Sequence, residues 1–136
     1  MAEKLKVELV TPYKKVLSDE VDEITATGSL GEFGVLPGHV PFVTTLKIGI
    51  LTCKKGNESK FFFVNWGYAE VGHEKVMILA DSAEKSEEID LERAIAARKR
   101  AEERLKHAEN VDFARAESAL ERAVTRAQIV EIRRVK

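Results

Sequence analysis

Residues 82–88, Ser-Ala-Glu-Lys-Ser-Glu-Glu, divide this chain into two unlike halves. Before them lie all eight glycines, from Gly28 to Gly72, and all three prolines, the last being Pro41. Eight of the nine aromatic residues also precede Ala69; the ninth is Phe113. After Ala83 there is no glycine and no proline, and the last 53 residues carry 25 charges and ten alanines. Glycine, proline and aromatics suit strands and tight turns. Alanine with Glu, Lys and Arg suits helix. The reading is a β domain over residues 1–83 and a helical appendage over 84–136.

Outward from the junction toward the N-terminus, short apolar runs alternate. Leu5, Val7 and Leu9 alternate with polar neighbours until Thr11-Pro12 stops them. Val16–Val21, Glu23–Thr27, Ile48–Lys54, Lys60–Asn65, Tyr68–Val71 and Val76–Ala80 read the same way, with Lys55-Gly56-Asn57 and Gly72-His73-Glu74 as turns. Many short strands at this spacing indicate a sandwich or barrel. A β core of this size is marginal on surface-to-volume grounds, so a partner surface is expected.

Toward the C-terminus, Leu91, Ala94, Arg98, Ala101, Leu105 and Ala108 follow helical spacing, as do Phe113, Ala116, Leu120, Ala123, Ala127 and Val130. Asp90 is placed to cap the first helix, and Asn110 or Asp112 the second. The short link predicts an antiparallel hairpin. Its alanine seam lets the backbones approach but buries little apolar area, so the hairpin should be weakly held and mobile.

Several function classes fall away. The chain of 136 residues has 22 basic and 23 acidic side chains, without the basic excess of a nucleic-acid coat. One cysteine, Cys53, excludes an internal disulfide and reads as a packed thiol. His39, His73 and His107 lack metal-ligand spacing. Gly28-Ser-Leu-Gly31-Glu-Phe-Gly34 lacks the spacing and the Lys-Ser/Thr of a phosphate loop. No apolar run approaches the ~18 residues of a membrane span. Asp81 and Glu84 read as a solvated junction rather than a catalytic pair, and no nucleophile and base can be named.

The arginines say more. Arg93 and Arg100 are seven apart, beside the alanine seam; Arg122 and Arg126 are four apart, flanking the seam of the second helix. Neither Arg122 nor Arg126 has a carboxylate three or four residues away, whereas Arg98 has Glu102 and Lys99 has Glu103. Converging guanidinium forks suit phosphate oxygens. The competing readings are a solvated basic face or contact with an acidic protein.

The segment Gly31-Glu-Phe-Gly-Val-Leu-Pro-Gly-His-Val-Pro41, in a small β domain followed by an alanine-rich hairpin, resembles the epsilon subunits of F-type ATP synthases. Glu70-Val71 and Ile89-Asp90-x-x-Arg93-Ala94 match as well; Trp66-Gly67 departs from the family's usual Gly-Gly pair. The resemblance implies a flattened sandwich of about ten strands with a two-helix C-terminal domain. It implies a non-catalytic, peripheral subunit of a proton-translocating synthase on the cytoplasmic face of the plasma membrane. Its partners would be the gamma subunit, the ring of c subunits and, when the helices extend, the alpha/beta catalytic head. By similarity, Glu32, Pro37, Gly38, His39 and Pro41 face the c-ring and gamma. The family's extended helices block ATP hydrolysis, and a regulatory ATP favours the compact state. By matching positions that site comprises Glu84, Ile89, Asp90, Arg93, Ala94, Arg100, Arg122 and Arg126, with no metal ligand assigned. The rival readings are a freestanding ATP-sensing protein with no rotary partner and an RNA-binding arginine helix.

Overall fold

The alternating apolar residues of the first half do form strands. A computed structural model describes residues 3–107 and 113–135. The expected caps Asn110 and Asp112, and Ala108 at the end of the first stripe, lie outside the described residues. The chain separates into two compact units that part between Lys85 and Ser86.

The first unit holds β1 (Leu5–Val10), β2 (Lys15–Val21), β3 (Glu23–Gly28), β4 (Gly31–Val35), β5 (Phe42–Leu46), β6 (Gly49–Lys55), β7 (Glu58–Val71) and β8 (Lys75–Lys85). Hydrogen bonding runs in the order β2-β1-β8-β7-β5-β3-β4, with β6 on β3 and β7. β1 and β8 are parallel and the other pairs antiparallel. β7 pairs β6 through Gly49↔Val64 to Lys55↔Glu58, and β5 through Phe42↔Val71 to Leu46↔Gly67. It therefore serves both layers of the sandwich, and β8 follows it from Val71↔Val76 to Phe62↔Lys85.

This corrects the expected count: there are eight strands among the described residues, not about ten. The two runs read as Lys60–Asn65 and Tyr68–Val71 are one strand of 14 residues that bends without breaking. The bend lies at Trp66, φ 52°, and Gly67, φ 148°. A Cβ on Gly67 would overlap the carbonyl oxygen of Leu79 and stand 2.8 Å from the Ala80 Cα, so only glycine lets β8 pass this close. β8 likewise keeps pairing through Ala83, Glu84 and Lys85, two residues beyond the Ala83 boundary.

Inward residues make one core. Leu5, Val7, Leu9, Ile24, Val35, Leu51, Phe62, Val76 and Ile78 are buried in it. Cys53, on β6, is part of that core, and burial, reinforced by the Asp19 charge, pushes its thiol up to about 12. It is a packed thiol, inert near neutral pH.

The second unit opens with a single 3-10 turn, Ser86–Glu88, then α1 (Leu91–Lys106) and α2 (Phe113–Val135). Asp90 caps α1: its backbone is extended (φ −90°, ψ 110°) and its carboxylate accepts from the Arg93 N–H at 3.2 Å. Arg104 and Lys106 occupy the last turn, where cations suit the helix dipole. Ala94 and Ala101 of α1, and Ala116 and Ala123 of α2, are buried, seven residues apart on each helix. The Arg133 guanidinium donates to the Ser86 carbonyl, tying the end of α2 to the start of the unit. The helices are therefore antiparallel, as their short link predicts.

Candidate functional site: the arginine face of the helical hairpin

Helical geometry, about 100° per residue, assigns each side chain to a side of the alanine seam. One side is marked by a groove of about 610 Å³ lined by residues of both helices, including Leu91, Ile95 and Arg98 of α1 and Val124, Ala127 and Ile132 of α2. On α1, Arg93, Arg100 and Arg104 fall across the Ala94–Ala101 seam from that groove. On α2, Arg115, Arg122 and Arg126 fall across the Ala116–Ala123 seam from it. The groove joins the helices on one face, so these six arginines share the other.

The hairpin thus brings together four of the anticipated residues, Arg93, Arg100, Arg122 and Arg126, and adds two that sequence reasoning missed. The signal was present: Arg104 is four residues after Arg100, and Arg115 is seven before Arg122. Among the described residues, no carboxylate pairs with Arg93, Arg100 or Arg122. Arg126 differs from its expected state, because it makes an interaction within the fold. Arg98, on the groove side, pairs with Glu102 at 3.8 Å. Glu103 pairs with Lys106 at 3.4 Å and stands 3.7 Å from His107, rather than pairing with Lys99.

Three anticipated residues lie where α1 begins. Ile89 is buried and its N–H donates to the Ser86 carbonyl at 3.2 Å. Asp90 spends one carboxylate oxygen on the cap, leaving the other exposed. Ala94 is buried in the seam, so its part is to hold the helices close. Glu84 belongs to the first unit, on β8 opposite Phe63 of β7. An array of cationic forks beside one carboxylate suits a polyanion that also offers hydroxyl donors. Among the described residues no three His, Cys, Asp or Glu side chains gather into a metal-binding group.

Of the residues expected to face rotary partners, Glu32 lies on β4 and the others lie in the loop between β4 and β5. Glu32 is exposed near the start of β4, opposite Thr27. Pro37 lies two residues beyond the end of β4. In the loop that follows, Gly38 adopts φ +86° and its N–H donates to the His73 carbonyl at 2.7 Å. His39 Nδ1 lies 2.7 Å from the Val40 carbonyl oxygen, and its ring tilts against Phe42 with centroids 5.1 Å apart. Pro41 is exposed. Gly28 to Gly34, glycine-rich as a phosphate loop would be, is the β3–β4 hairpin, closed by Gly28↔Gly31. No described helix is long and apolar enough to cross a membrane.

Known proteins place these two units together. Residues 4–86 match the beta-sandwich domain of the ATP synthase delta/epsilon chain, and residues 87–131 match that family's long alpha-helix domain. The ATP synthase epsilon chain of Geotalea daltonii is 63% identical over 131 residues, 95% of each chain. That of Geobacter sulfurreducens is 61% identical over the same share. A solved structure of the Euglena gracilis mitochondrial ATP synthase, its OSCP/F1/c-ring assembly, contains a chain that superposes with a TM-score of 0.82 at 26% identity. The match covers 98% of this chain and 82% of that one. The central stalk/c-ring of the Tetrahymena thermophila enzyme holds a chain of like fold, at TM-score 0.54 and 22% identity over 64% of this chain and 70% of that one. With both domains of the family present in order and relatives above 60% identity across 95% of its length, the chain belongs to the ATP synthase delta/epsilon family, on its epsilon side, as a non-catalytic subunit.

Proposed function

We propose that this chain is a central-stalk subunit of a proton-translocating ATP synthase, peripheral to the cytoplasmic face of the plasma membrane. Its sandwich binds the gamma subunit and the c-ring. Its hairpin is a regulatory element that, when extended, reaches the alpha/beta head and inhibits ATP hydrolysis. ATP on the arginine face favours the compact form.

The observation that supports the regulatory part is the convergence of Arg93, Arg100 and Arg122 on one hairpin face with no carboxylate partner among the described residues. Like charges gathered this way repel one another, and an anion relieves that repulsion. A triphosphate supplies enough oxygens for several forks, while the free oxygen of Asp90 can accept from a ribose hydroxyl. A ligand that binds only the compact hairpin stabilises it by RT ln(1 + [L]/Kd), about 2.7 kcal/mol at a hundredfold excess. As ATP falls, that term shrinks and extension becomes cheaper.

The test is calorimetric titration of the whole chain with ATP, alongside an Arg122→Ala/Arg126→Ala variant. Each lost charge-assisted hydrogen bond is worth about 1.5–3 kcal/mol, so affinity should fall at least tenfold. The wild-type protein should release no phosphate above background. In the assembled enzyme, the variant should deepen inhibition at intermediate ATP and converge with wild type at high ATP. An unchanged ATP affinity would return these arginines to a solvated face.

A further inference from the structure

The base of the helical unit is held by a different kind of contact from its seam. Ser86 is the first residue of that unit, directly after Lys85 at the end of β8. Serine ordinarily faces water, yet Ser86 is only 1% exposed. Its hydroxyl donates to Glu87 Oε1 at 3.1 Å. Its carbonyl oxygen accepts twice. One donor is the Ile89 N–H at 3.2 Å, which closes the 3-10 turn. The other is the Arg133 guanidinium, 47 residues away in the last turn of α2.

The 3-10 turn packs against α2. Ile89, just after the turn, and Ile129 and Val130, one helical turn before Arg133, are buried as well. Arg133 is half-buried, whereas Arg134 is exposed and stands 3.8 Å from Glu131 on its own helix. Two adjacent arginines thus do different work. The Ser86 carbonyl also suits a bond that breaks and reforms. When Arg133 leaves, the Ile89 N–H still holds one lone pair and water can take the other, so the turn survives. The bond bears on the arginine face too. Arg93 stands seven residues after Ser86, and Arg126 seven before Arg133. In an antiparallel pair, equal offsets from one bond bring two residues to about the same level.

We propose that Arg133 is a positioning residue that clasps the hairpin shut: its bond to the Ser86 carbonyl fixes the end of α2 to the start of the unit, and α2 parts from α1 only by breaking it. This rests on the regulatory reading above and adds the contact that opposes extension. The clasp and an anion on the arginine face close the same hairpin at two places, so each offsets part of the loss of the other.

The experiment is amide hydrogen exchange by mass spectrometry on the full chain, with Arg133→Ala and Arg134→Ala compared with and without ATP. Both substitutions remove one cation from the last turn of α2, where positive charge favours the helix, but only the first breaks the clasp. Without ATP, Arg133→Ala should speed exchange at least about tenfold over residues 86–90 and 127–133, as loss of one charge-assisted bond requires. Arg134→Ala should stay within about threefold of wild type. Arg133→Lys, which keeps the charge and a donor, should recover part of the protection. Unchanged exchange in β7 and β8 keeps unfolding of the sandwich out of the comparison. If Arg133→Ala exchanges no faster than Arg134→Ala, or if Arg133→Lys recovers nothing, the clasp is wrong. Saturating ATP should slow exchange in Arg133→Ala toward the wild-type rate. If the variants differ as expected but ATP changes none of them, the clasp stands and the ATP reading falls.

Discussion

Gly67→Ala is the substitution that most directly probes how one long strand serves two layers. Gly67 is paired on both flanks, with Leu46 of β5 and Ala80 of β8. Its φ of 148° is reached comfortably only without a Cβ. An added methyl would overlap the Leu79 carbonyl oxygen and lie 2.8 Å from the Ala80 Cα. Both are backbone atoms of a paired strand, so no side chain can rotate away to relieve the clash. The backbone conformation costs about 1–2 kcal/mol for an L residue. Forcing β8 outward costs a further 1–3 kcal/mol, in the range of core overpacking. The sum, about 2–5 kcal/mol, is a large share of the ~5–15 kcal/mol that holds a typical domain folded. It corresponds to a fall in Tm of at least about 10 °C for a unit of this size. Gly56→Ala is the comparator: Gly56 also has positive φ, 61°, but an added Cβ there meets nothing within 4 Å. It should cost only about 1 kcal/mol. Urea unfolding followed by the fluorescence of Trp66, the chain's single tryptophan and the neighbour of Gly67, reads the sandwich directly. If Gly67→Ala proves no more costly than Gly56→Ala, close strand passage does not enforce glycine here.

Asp90→Ala should lower the stability of the helical unit by about 1 kcal/mol, read as an earlier loss of helical dichroism on heating, while Asp90→Asn keeps the cap and most of the stability. Equal losses in the two variants would mean that charge, not the cap, is what α1 needs. Hydrogen bonds from Lys15 and then Lys75 hold the Glu8 carboxyl at about 2, below its ordinary 4.5. A folded-state value below the unfolded one means that its stabilisation is complete above about 4.5 and is lost as pH falls toward 2. Glu8→Gln should therefore flatten the dependence of the urea midpoint on pH across that window, and an unaltered slope would assign acid sensitivity to other carboxylates.

The two-part organisation was legible because composition differs on either side of 82–88. A glycine-free, alanine-rich segment has one good local option, whereas alternating β-branched and aromatic runs have another. β4 and β5 escaped the pattern for separate reasons. In β4, Gly31 and Gly34 leave Phe33 and Val35 as the only apolar side chains, too few to alternate. In β5, Phe42 and Val43 sit beside Pro41, which reads as a stop, and the strand exists because β7 is long enough to pair it. The continuity of β7 was illegible too: Trp66-Gly67 looks like a turn, and only tertiary pairing on both flanks converts it into a bend.

The arginine site was half legible for a similar reason. Spacing along one helix relates Arg122 to Arg126 and Arg93 to Arg100, but it cannot say whether the two pairs face the same way. That needs the seam, and the seam is set by alanines whose burial only the paired helices reveal. The same alanines bear on how firmly the two helices are held together. The sandwich is held by a contiguous core of Leu, Ile, Val and Phe side chains and by two strands that run through both layers. In the helical unit the seam itself contributes four buried methyl groups, beside the buried side chains of Ile89, Ile129 and Val130, one cap and the Arg133–Ser86 bond. At ~25 cal/mol per Å², alanine contributes far less than a buried Leu or Phe. A ligand worth about 2.7 kcal/mol is comparable to one buried Ile or Val side chain and small beside what folds the sandwich. If the proposed function is right, anion binding on the arginine face would bias the helical unit and leave the sandwich core unaltered.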